Sequence, residues 1–248
     1  MIRAAFPFLL LGSWALFSKL SAVPRYLLPP PWEVAHRLGE LLADGRLLSA
    51  TVRSLLRMVE GYGAAILVGV PAGILVARST LARLWLKPLM TGLQALPSIC
   101  WLPLALLWFG LSELAILFVV FMGSFLAVAI ATENGILGIQ PQLLHAAGTL
   151  GIRSFRFYSQ VLIPAALPEI VTGLKLGWSF AWRALMAGEL LFVAGGLGQL
   201  LTAGRELLDV AQVVAVMGTI VCIGMVIERA VFVPIEFRIR RRWGLLAA

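Results

Sequence analysis

Residues 114–133 read LAILFVVFMGSFLAVAIATE, an apolar stretch with no charged residue before Glu133. A bilayer core of about 30 Å requires about 20 residues of α-helix, which is the length of this stretch. It lacks the alternating pattern of an outer-membrane strand, so in lipid only a helix satisfies its backbone. The sequence therefore predicts an all-α integral membrane protein, a six-span bundle whose other spans are expected at 4–20, 59–77, 89–109, 170–193 and 210–233.

The composition agrees with this class. Of the 248 residues, 60% are hydrophobic and 13% are charged, and the mean hydropathy is +0.96. Soluble domains are about 45–50% apolar and about 25% charged, so the excess apolar surface must face lipid or other spans. The net charge of +8 does not come from a basic run interleaved with aromatic residues, so we expect no nucleic-acid partner.

The loop charges predict the orientation. The tail after the sixth span has Glu236 as its only acid, and the hairpin 78–88 between the second and third spans has none. The positive-inside rule places both in the cytoplasm, and an even number of spans places the N-terminus there too. Both termini are thus expected on the cytoplasmic side of the membrane. The basic residues that carry this prediction are Arg78, Arg83, Lys87, Arg238, Arg240, Arg241 and Arg242.

The N-terminal region allows two interpretations. Arg3, an apolar stretch and Ser21-Ala22-Val23 have the outline of a signal peptide. We favour a retained first span, since the topology then gives a cytoplasmic N-terminus. The loop at 21–57 is rich in arginine although it lies outside, and we expect 32–56 to form an amphipathic helix at the outer interface. Residues 1–57 then form an N-terminal part and 58–248 the core of the bundle.

The cytoplasmic loop 134–169 is long and only moderately polar. We expect short helices at 143–150 and 155–162, with Gly148 and Gly151 allowing them to approach closely. Pro164 and Pro168 are expected to end the second helix before the fifth span begins. The small residues Ala146, Ala147 and Gly148 suit docking against another protein, although an interfacial connector is an open alternative.

The same loop carries a recognisable spacing. His145-Ala146-Ala147, Gly151 and Val161-Leu162-Ile163-Pro164 resemble the E-A-A-x-x-x-G-x9-I-x-L-P loop of permease subunits in bacterial ATP-binding-cassette importers. In that family the loop is a helix-turn-helix whose first helix, the coupling helix, docks on the ATPase subunit. His145 replaces the family's Glu, which removes any ion pair at that position but not the docking.

The resemblance extends from about Leu55 to the C-terminus and is closest to the nitrate, sulfonate and taurine branch. The segments that carry it are Ala95-Leu96-Pro97-Ser98, Trp101-Leu102-Pro103-Leu104, Leu107-Trp108-Phe109-Gly110, Pro168-Glu169-Ile170, Thr172-Gly173-Leu174-Lys175, Ala187-Gly188-Glu189, Gly196-Leu197-Gly198-Gln199-Leu200 and Arg242-Trp243.

The resemblance implies a type I importer permease. Two copies of the chain would form the pathway for a small anionic solute such as a sulfonate, taurine, nitrate or bicarbonate. Two cytoplasmic ATPase subunits would dock on the loops, and a periplasmic or anchored solute-binding protein would deliver the solute. ATP and Mg²⁺ would bind the ATPase subunit, so no cofactor and no enzymatic activity are expected in this chain.

The sequence of this chain agrees with the expectation that ATP binds to another subunit. None of Lys19, Lys87 and Lys175 ends a G-x-x-x-x-G-K-[ST] loop, so no phosphate-binding loop exists. No metal cluster is expected, because the cysteines and histidines are isolated in the sequence. A single-chain secondary transporter is the main alternative, but we find no half-to-half similarity. A membrane-embedded enzyme would need a catalytic constellation, which the sequence lacks.

Four residues are candidates for the translocation pathway: Pro97, Trp182, Arg183 and Glu189. A charge at mid-membrane is costly unless it is paired or wet, so Arg183 either faces a cavity or pairs with a carboxylate such as Glu189. Trp182 either lines the pathway or packs between helices. Pro97, with Pro103, must bend the third span, which is tolerated beside a cavity. Glu189 suits a gate or an inter-helix pair, and Lys175 a structural role.

Overall fold

The computed structural model describes residues 2–20, 24, 26–192 and 195–243, and every regular element in these ranges is helical. The predicted all-α class is confirmed. The candidate signal-peptide site at 21–23 and the predicted end of the fifth span at 193 lie outside the described residues. The helices are α1 (Ile2–Leu20), α2 (Pro31–Ala43), α3 (Arg46–Arg78), α4 (Thr80–Gln94), α5 (Leu102–Phe109), α6 (Glu113–Leu137), α7 (Pro141–Thr149), α8 (Ser154–Phe157), α9 (Ile163–Leu191), α10 (Leu197–Glu206), α11 (Val210–Ile227) and α12 (Val233–Arg242).

Within the described residues, four continuous helices are long and apolar enough to cross a membrane: α3, α6, Ser154–Leu191 and Val210–Arg242. A fifth span is a broken pair, Thr80–Gln94 with Ser98–Phe109, bent by 104°. These five match the predicted second to sixth spans. The predicted first span falls on α1, whose 19 residues correspond to about 28 Å of helix.

The segment before the second span differs from the prediction. The expected amphipathic helix at 32–56 is two elements, α2 and the first turns of α3. Gly45, with φ of 70°, separates them in a conformation that favours glycine. The second span is therefore the continuation of a helix that begins at Arg46, not a helix that begins at 59.

The prediction that Pro164 and Pro168 end a loop helix is wrong. A π-helical turn at Tyr158–Leu162 joins α8 to α9, so one helix runs from Ser154 to Leu191. A proline ring normally clashes with the carbonyl four residues earlier, which for Pro164 belongs to Gln160 in this turn. The π turn, in which the Ile163 N–H donates to Tyr158 O, widens the backbone there and lets the helix continue.

The chain divides into two compact units. Residues 1–56 and 189–223 form the first, and 57–188 with 224–248 form the second. The predicted division at residue 57 into an N-terminal part and a core stays a prediction. In the structure, residues 189–223 group with the N-terminal residues. In the first unit, the Arg37 guanidinium of α2 lies 2.8 Å from the Asp209 carboxylate beside α11. The hydrogen bond to Glu40 raises the pKa of Arg37, which therefore stays charged.

The second unit is built around α6, against which glycines of two other helices pack. On α3, a Cβ atom at Gly73 would lie 2.6 Å from the Thr132 Cβ. On α9, a Cβ atom at Gly173 would overlap Ala131. Each glycine therefore permits the close backbone approach that drives helix association where lipid offers no hydrophobic gain. The Tyr62 hydroxyl of α3 donates to Leu174 O of α9 at 2.6 Å and joins the two flanking helices.

Ion pairs tie the same unit together. Lys87 lies 2.8 Å from the fully buried Glu133, and Arg57 lies 2.6 Å from Glu113. The predicted structural role of Lys175 is consistent with its 2.8 Å contact with Glu228. In lipid such pairs offset the cost of placing charges on spanning helices.

We expect Gly73→Ala to destabilise the protein by about 1–3 kcal/mol, because the added methyl group overpacks the backbone contact between α3 and α6. The free energy of unfolding in mixed micelles, titrated with a denaturing detergent, measures the change. Gly63→Ala is the matched control on the same helix, since a Cβ atom there meets nothing within 4 Å. Equal effects of the two substitutions would contradict the packing argument.

Candidate functional site

A cavity of about 260 Å³ lies in the second unit, beside the break of the third span. The end of α4, the irregular segment after it, α6 and α9 enclose it. It therefore combines side chains from three spans with backbone that is not helical. The lining residues are Leu93, Gln94, Ala95, Leu96, Pro97, Ser98, Trp101, Met122, Gly123, Leu126, Phe180 and Arg183.

The break follows from Pro97, as the sequence predicts. Its ring lacks an N–H and restricts the preceding residue, so α4 ends at Gln94 and a 3₁₀ turn begins at Ser98. Pro103 instead occupies the first turn of α5, where a proline is tolerated. Non-helical backbone at membrane depth is found only where it is buried in protein or lines a cavity. The cavity provides that environment.

Arg183 is the only cationic side chain in the cavity lining among the described residues. Its Nε donates to Ser179 O one turn earlier at 3.2 Å, and its guanidinium lies 4.9 Å from the centre of the Phe180 ring. No described carboxylate lies within ion-pair distance of it. Arg183 thus lies at a cavity without an ion pair to a described carboxylate, and its role in a translocation pathway stays a prediction.

Glu189 belongs to a different arrangement, inside the first unit. Its carboxylate is 1% exposed and accepts hydrogen bonds from the Ser54 hydroxyl at 2.8 Å and from the Gly198 N–H at 3.0 Å. The Ser54 oxygen in turn accepts from the Leu197 N–H at 2.9 Å. The carboxylate and the hydroxyl therefore cap the free N–H groups at the start of α10, a favourable position for negative charge.

The contacts of Glu189 explain the glycines of Gly196-Leu197-Gly198, which is part of a segment that carries the family resemblance. A Cβ atom at Gly198 would lie 2.5 Å from the Glu189 Cβ, and one at Gly196 would overlap the carboxylate. The backbone can wrap the carboxylate only because these positions lack side chains. Ser54 is a functional candidate that sequence reasoning missed, since a lone serine before a span carries no signal of its distant partner.

Trp182 is not among the cavity-lining residues. It is 9% exposed and stacks on Trp178, with ring centres 6.1 Å apart and planes 11° apart. Trp178 also contacts Tyr62 at 5.7 Å, edge to face. Trp182 therefore packs on Trp178 of the same helix, and its role in the translocation pathway stays a prediction.

The loop after α6 contains the expected helix and turn, with α7 at Pro141–Thr149. The Ile152 N–H donates to Ala147 O, and the Gly151 N–H to Gly148 O, both at 3.1 Å. This is a Schellman motif, which requires positive φ at the residue after the cap, and Gly151 has φ of 70°. Gly151 is therefore needed for its backbone conformation.

The expected close approach at Gly148 and Gly151 is wrong, because a Cβ atom at either position meets nothing within 4 Å. The small residues expected to form one docking face also differ in exposure. Ala147 is 4% exposed and faces its own chain, whereas His145, Ala146 and Gly148 are exposed. Pro164 lies inside the long helix that follows the turn.

Comparisons with known proteins give the family. The sequence profile described as "Binding-protein-dependent transport system inner membrane component" matches residues 69–241. The taurine transport system permease protein TauC of Escherichia coli is 31% identical over 88% of this chain and 82% of its own. The putative aliphatic sulfonates transport permease protein SsuC of Bacillus subtilis is 30% identical, over 84% of this chain and 76% of its own.

A solved structure shares the fold. A chain of the MetNI methionine ABC transporter, in an inward-facing conformation, superimposes with a TM-score of 0.60 and 21% identity. The match covers 82% of this chain and 97% of that one.

We expect Ser54→Ala to lower the free energy of unfolding by about 1–3 kcal/mol, because it removes a donor from the buried Glu189 and leaves the Leu197 N–H without its acceptor. Ser49→Ala is the matched control, since it is exposed on the same helix and bonds only to Arg46 O. The change there should stay within about 0.5 kcal/mol. Denaturant titration in micelles measures both, and equal stability of the two variants would refute the capping role.

Proposed function

We propose that this chain, a permease subunit of an ABC importer, conducts a small anionic solute past Arg183. The premise is that it belongs to the family of binding-protein-dependent transport system inner membrane components. The observation that carries this proposal is the guanidinium that faces a cavity without a carboxylate partner in the described residues. A single-chain secondary transporter does not agree with this family.

The chemistry of the cavity favours a small anion. A guanidinium stays protonated at physiological pH and binds a sulfonate or carboxylate through two parallel hydrogen bonds. The volume of about 260 Å³ is below the usual range of about 300–1,000 Å³ for small-molecule pockets, which favours a small solute. Trp101, Leu126 and Phe180 supply apolar walls. Relatives named for taurine and aliphatic sulfonates transport solutes of this chemistry.

The partners that we propose follow from the same family. Two copies of the chain would enclose the pathway, a periplasmic or anchored solute-binding protein would deliver the solute, and two ATPase subunits would bind ATP and Mg²⁺. The exposed side of α7, with His145, Ala146 and Gly148, is the surface that we assign to the ATPase subunit. This chain then hydrolyses no ATP itself.

The orientation that we propose places this surface in the cytoplasm of a bacterial inner membrane, with both termini. The positive-inside rule assigns the α3–α4 hairpin to that side. The Arg78 guanidinium at the end of α3 lies 5.4 Å from the centre of the Phe157 ring in α8. This contact supports the proposal, since it places the basic hairpin next to the loop that follows α7.

Glu189 is proposed to act by position and not by contact with solute. It lies near the end of the fifth span and fixes the start of α10 through the Ser54 and Gly198 contacts. A carboxylate that holds the segment after a pathway helix is suited to a gate. Pro97 contributes differently, by creating the break that lines the cavity.

Arg183→Gln should lower solute uptake by about ten- to hundredfold, because it removes charge-assisted hydrogen bonds to the anion. Uptake of a labelled sulfonate by cells with the complete importer measures this. The amount of protein in the membrane and the co-purification of the ATPase subunit should stay normal. Uptake by Arg183→Lys should be intermediate, because lysine keeps the charge but not the two-pronged geometry. Normal uptake by the Gln variant would overturn the pathway role, and loss of the protein itself would indicate a structural role.

Gly151→Leu should abolish uptake and co-purification of the ATPase subunit while the chain stays in the membrane. Open space surrounds the position, so the cause is the positive φ, which is a strained conformation for leucine. Gly151→Asn is the matched control, because asparagine tolerates this conformation and should retain most of the activity. Uptake by the Leu variant at the wild-type rate would contradict the assignment of α7 as the docking helix.

A further inference from the structure

The last turns of α12 carry four arginines, and helix geometry divides them. Arg238, Arg241 and Arg242 are spaced i, i+3 and i+4, so they lie on one face. Together with Ile239 they surround a surface depression of about 580 Å³. Arg240 lies on a different side of the helix and pairs with Glu236 at 2.6 Å. The arrangement thus separates one internally paired arginine from a cluster of three.

The three clustered arginines have no ion pair or hydrogen-bond partner within the part of the chain that the structure describes. All three are exposed. Three guanidinium groups so close together repel one another, so the cluster has a strong local preference for an anion. A phosphate group is well matched, because it accepts two-pronged hydrogen bonds from arginine.

Apolar residues continue the same face toward the membrane. Ile235 is 38% exposed and lies one turn before Arg238, and Val231 is 40% exposed one turn earlier again. Both belong to the uninterrupted helix Val210–Arg242, which has the length and composition of a span. A rise of 1.5 Å per residue separates Ile235 from the arginines by about 5–10 Å. Exposed apolar residues on a helix of spanning length therefore lead directly into the basic cluster.

We propose that Arg238, Arg241 and Arg242 form a binding site for the head group of an anionic phospholipid, whose acyl chains lie along Ile235 and Val231. The charge of the cluster matches a lipid phosphate, and its place at the end of a span matches the depth of the head groups. A free phosphate would use the arginines but not the apolar residues. The proposal does not depend on the identity of the solute.

The test is lipid retention by the purified importer complex, measured by native mass spectrometry during titration with phosphatidylglycerol or phosphatidylcholine. The wild-type complex should retain phosphatidylglycerol in preference to phosphatidylcholine. Each basic residue at an anionic surface strengthens binding about fivefold, so replacing all three arginines with Gln should weaken phosphatidylglycerol binding on the order of 100-fold. Arg240→Gln, the matched control, should bind as the wild type does.

A second triple variant separates lipid binding from membrane topology. Replacing the same three arginines with Lys keeps the positive charge that orients the chain, and should retain most of the phosphatidylglycerol binding. Arg241→Gln alone leaves three arginines in the tail and should weaken binding about fivefold, even if the triple Gln variant does not accumulate.

Three results would overturn the proposal. One is equal retention of the two lipids by the wild type. Another is unchanged phosphatidylglycerol binding after Gln replaces Arg241 alone or all three arginines of the cluster. The third is displacement of the lipid by excess inorganic phosphate where chloride of equal ionic strength does not displace it, which would indicate a site for free anions.

Discussion

The close approach of helix backbones around α6 is the constraint on which the second unit depends. Lipid gives spanning helices little hydrophobic reason to associate, so contact must come from small residues and local polar bonds. Gly73 and Gly173 provide it from two sides, and Gly123 on α6 itself meets Ala184, since a Cβ atom there would lie 2.8 Å from the Ala184 Cβ. Ala184 is next to Arg183, so the packing that builds the unit also sets the position of the cavity's cation.

The broken third span depends on this packing as well. A helix interrupted in lipid exposes backbone N–H and C=O groups that cost several kcal/mol each when unsatisfied. The break at Pro97 shares the lining of a cavity with residues of α6 and α9. The irregular segment and the regular helix pair are therefore one structural feature.

Local sequence information was sufficient for much of the fold. Apolar length predicted the five spans found at α3 to α12, and Pro97 predicted the bend, because each of these effects acts within a few residues. Ser54 could not be predicted as a partner of Glu189, since 135 residues separate them in the chain. The continuation of α9 through Pro164 was missed because a π turn, which has no reliable sequence signal, removes the clash. For the site, Arg183 and Pro97 line one cavity, and the buried Trp182 is not among its lining residues.

The distribution of paired and unpaired cations connects these observations. Within the described residues, Lys87, Lys175 and Arg240 each have a carboxylate within 2.8 Å. Those pairs neutralise charge where the chain only needs to be stable in the membrane. Arg183 and the α12 cluster have no such partner, although carboxylates elsewhere in the chain show that this fold can supply them. An unpaired guanidinium at membrane depth or at its edge is costly unless an anion or water meets it. Lack of a carboxylate is not enough to mark an anion site, since Arg153 and Arg205 also have no ion pair in the described residues. Position distinguishes the two sites that we propose: Arg183 lines a cavity between spans, and the α12 cluster lies at the end of a helix of spanning length.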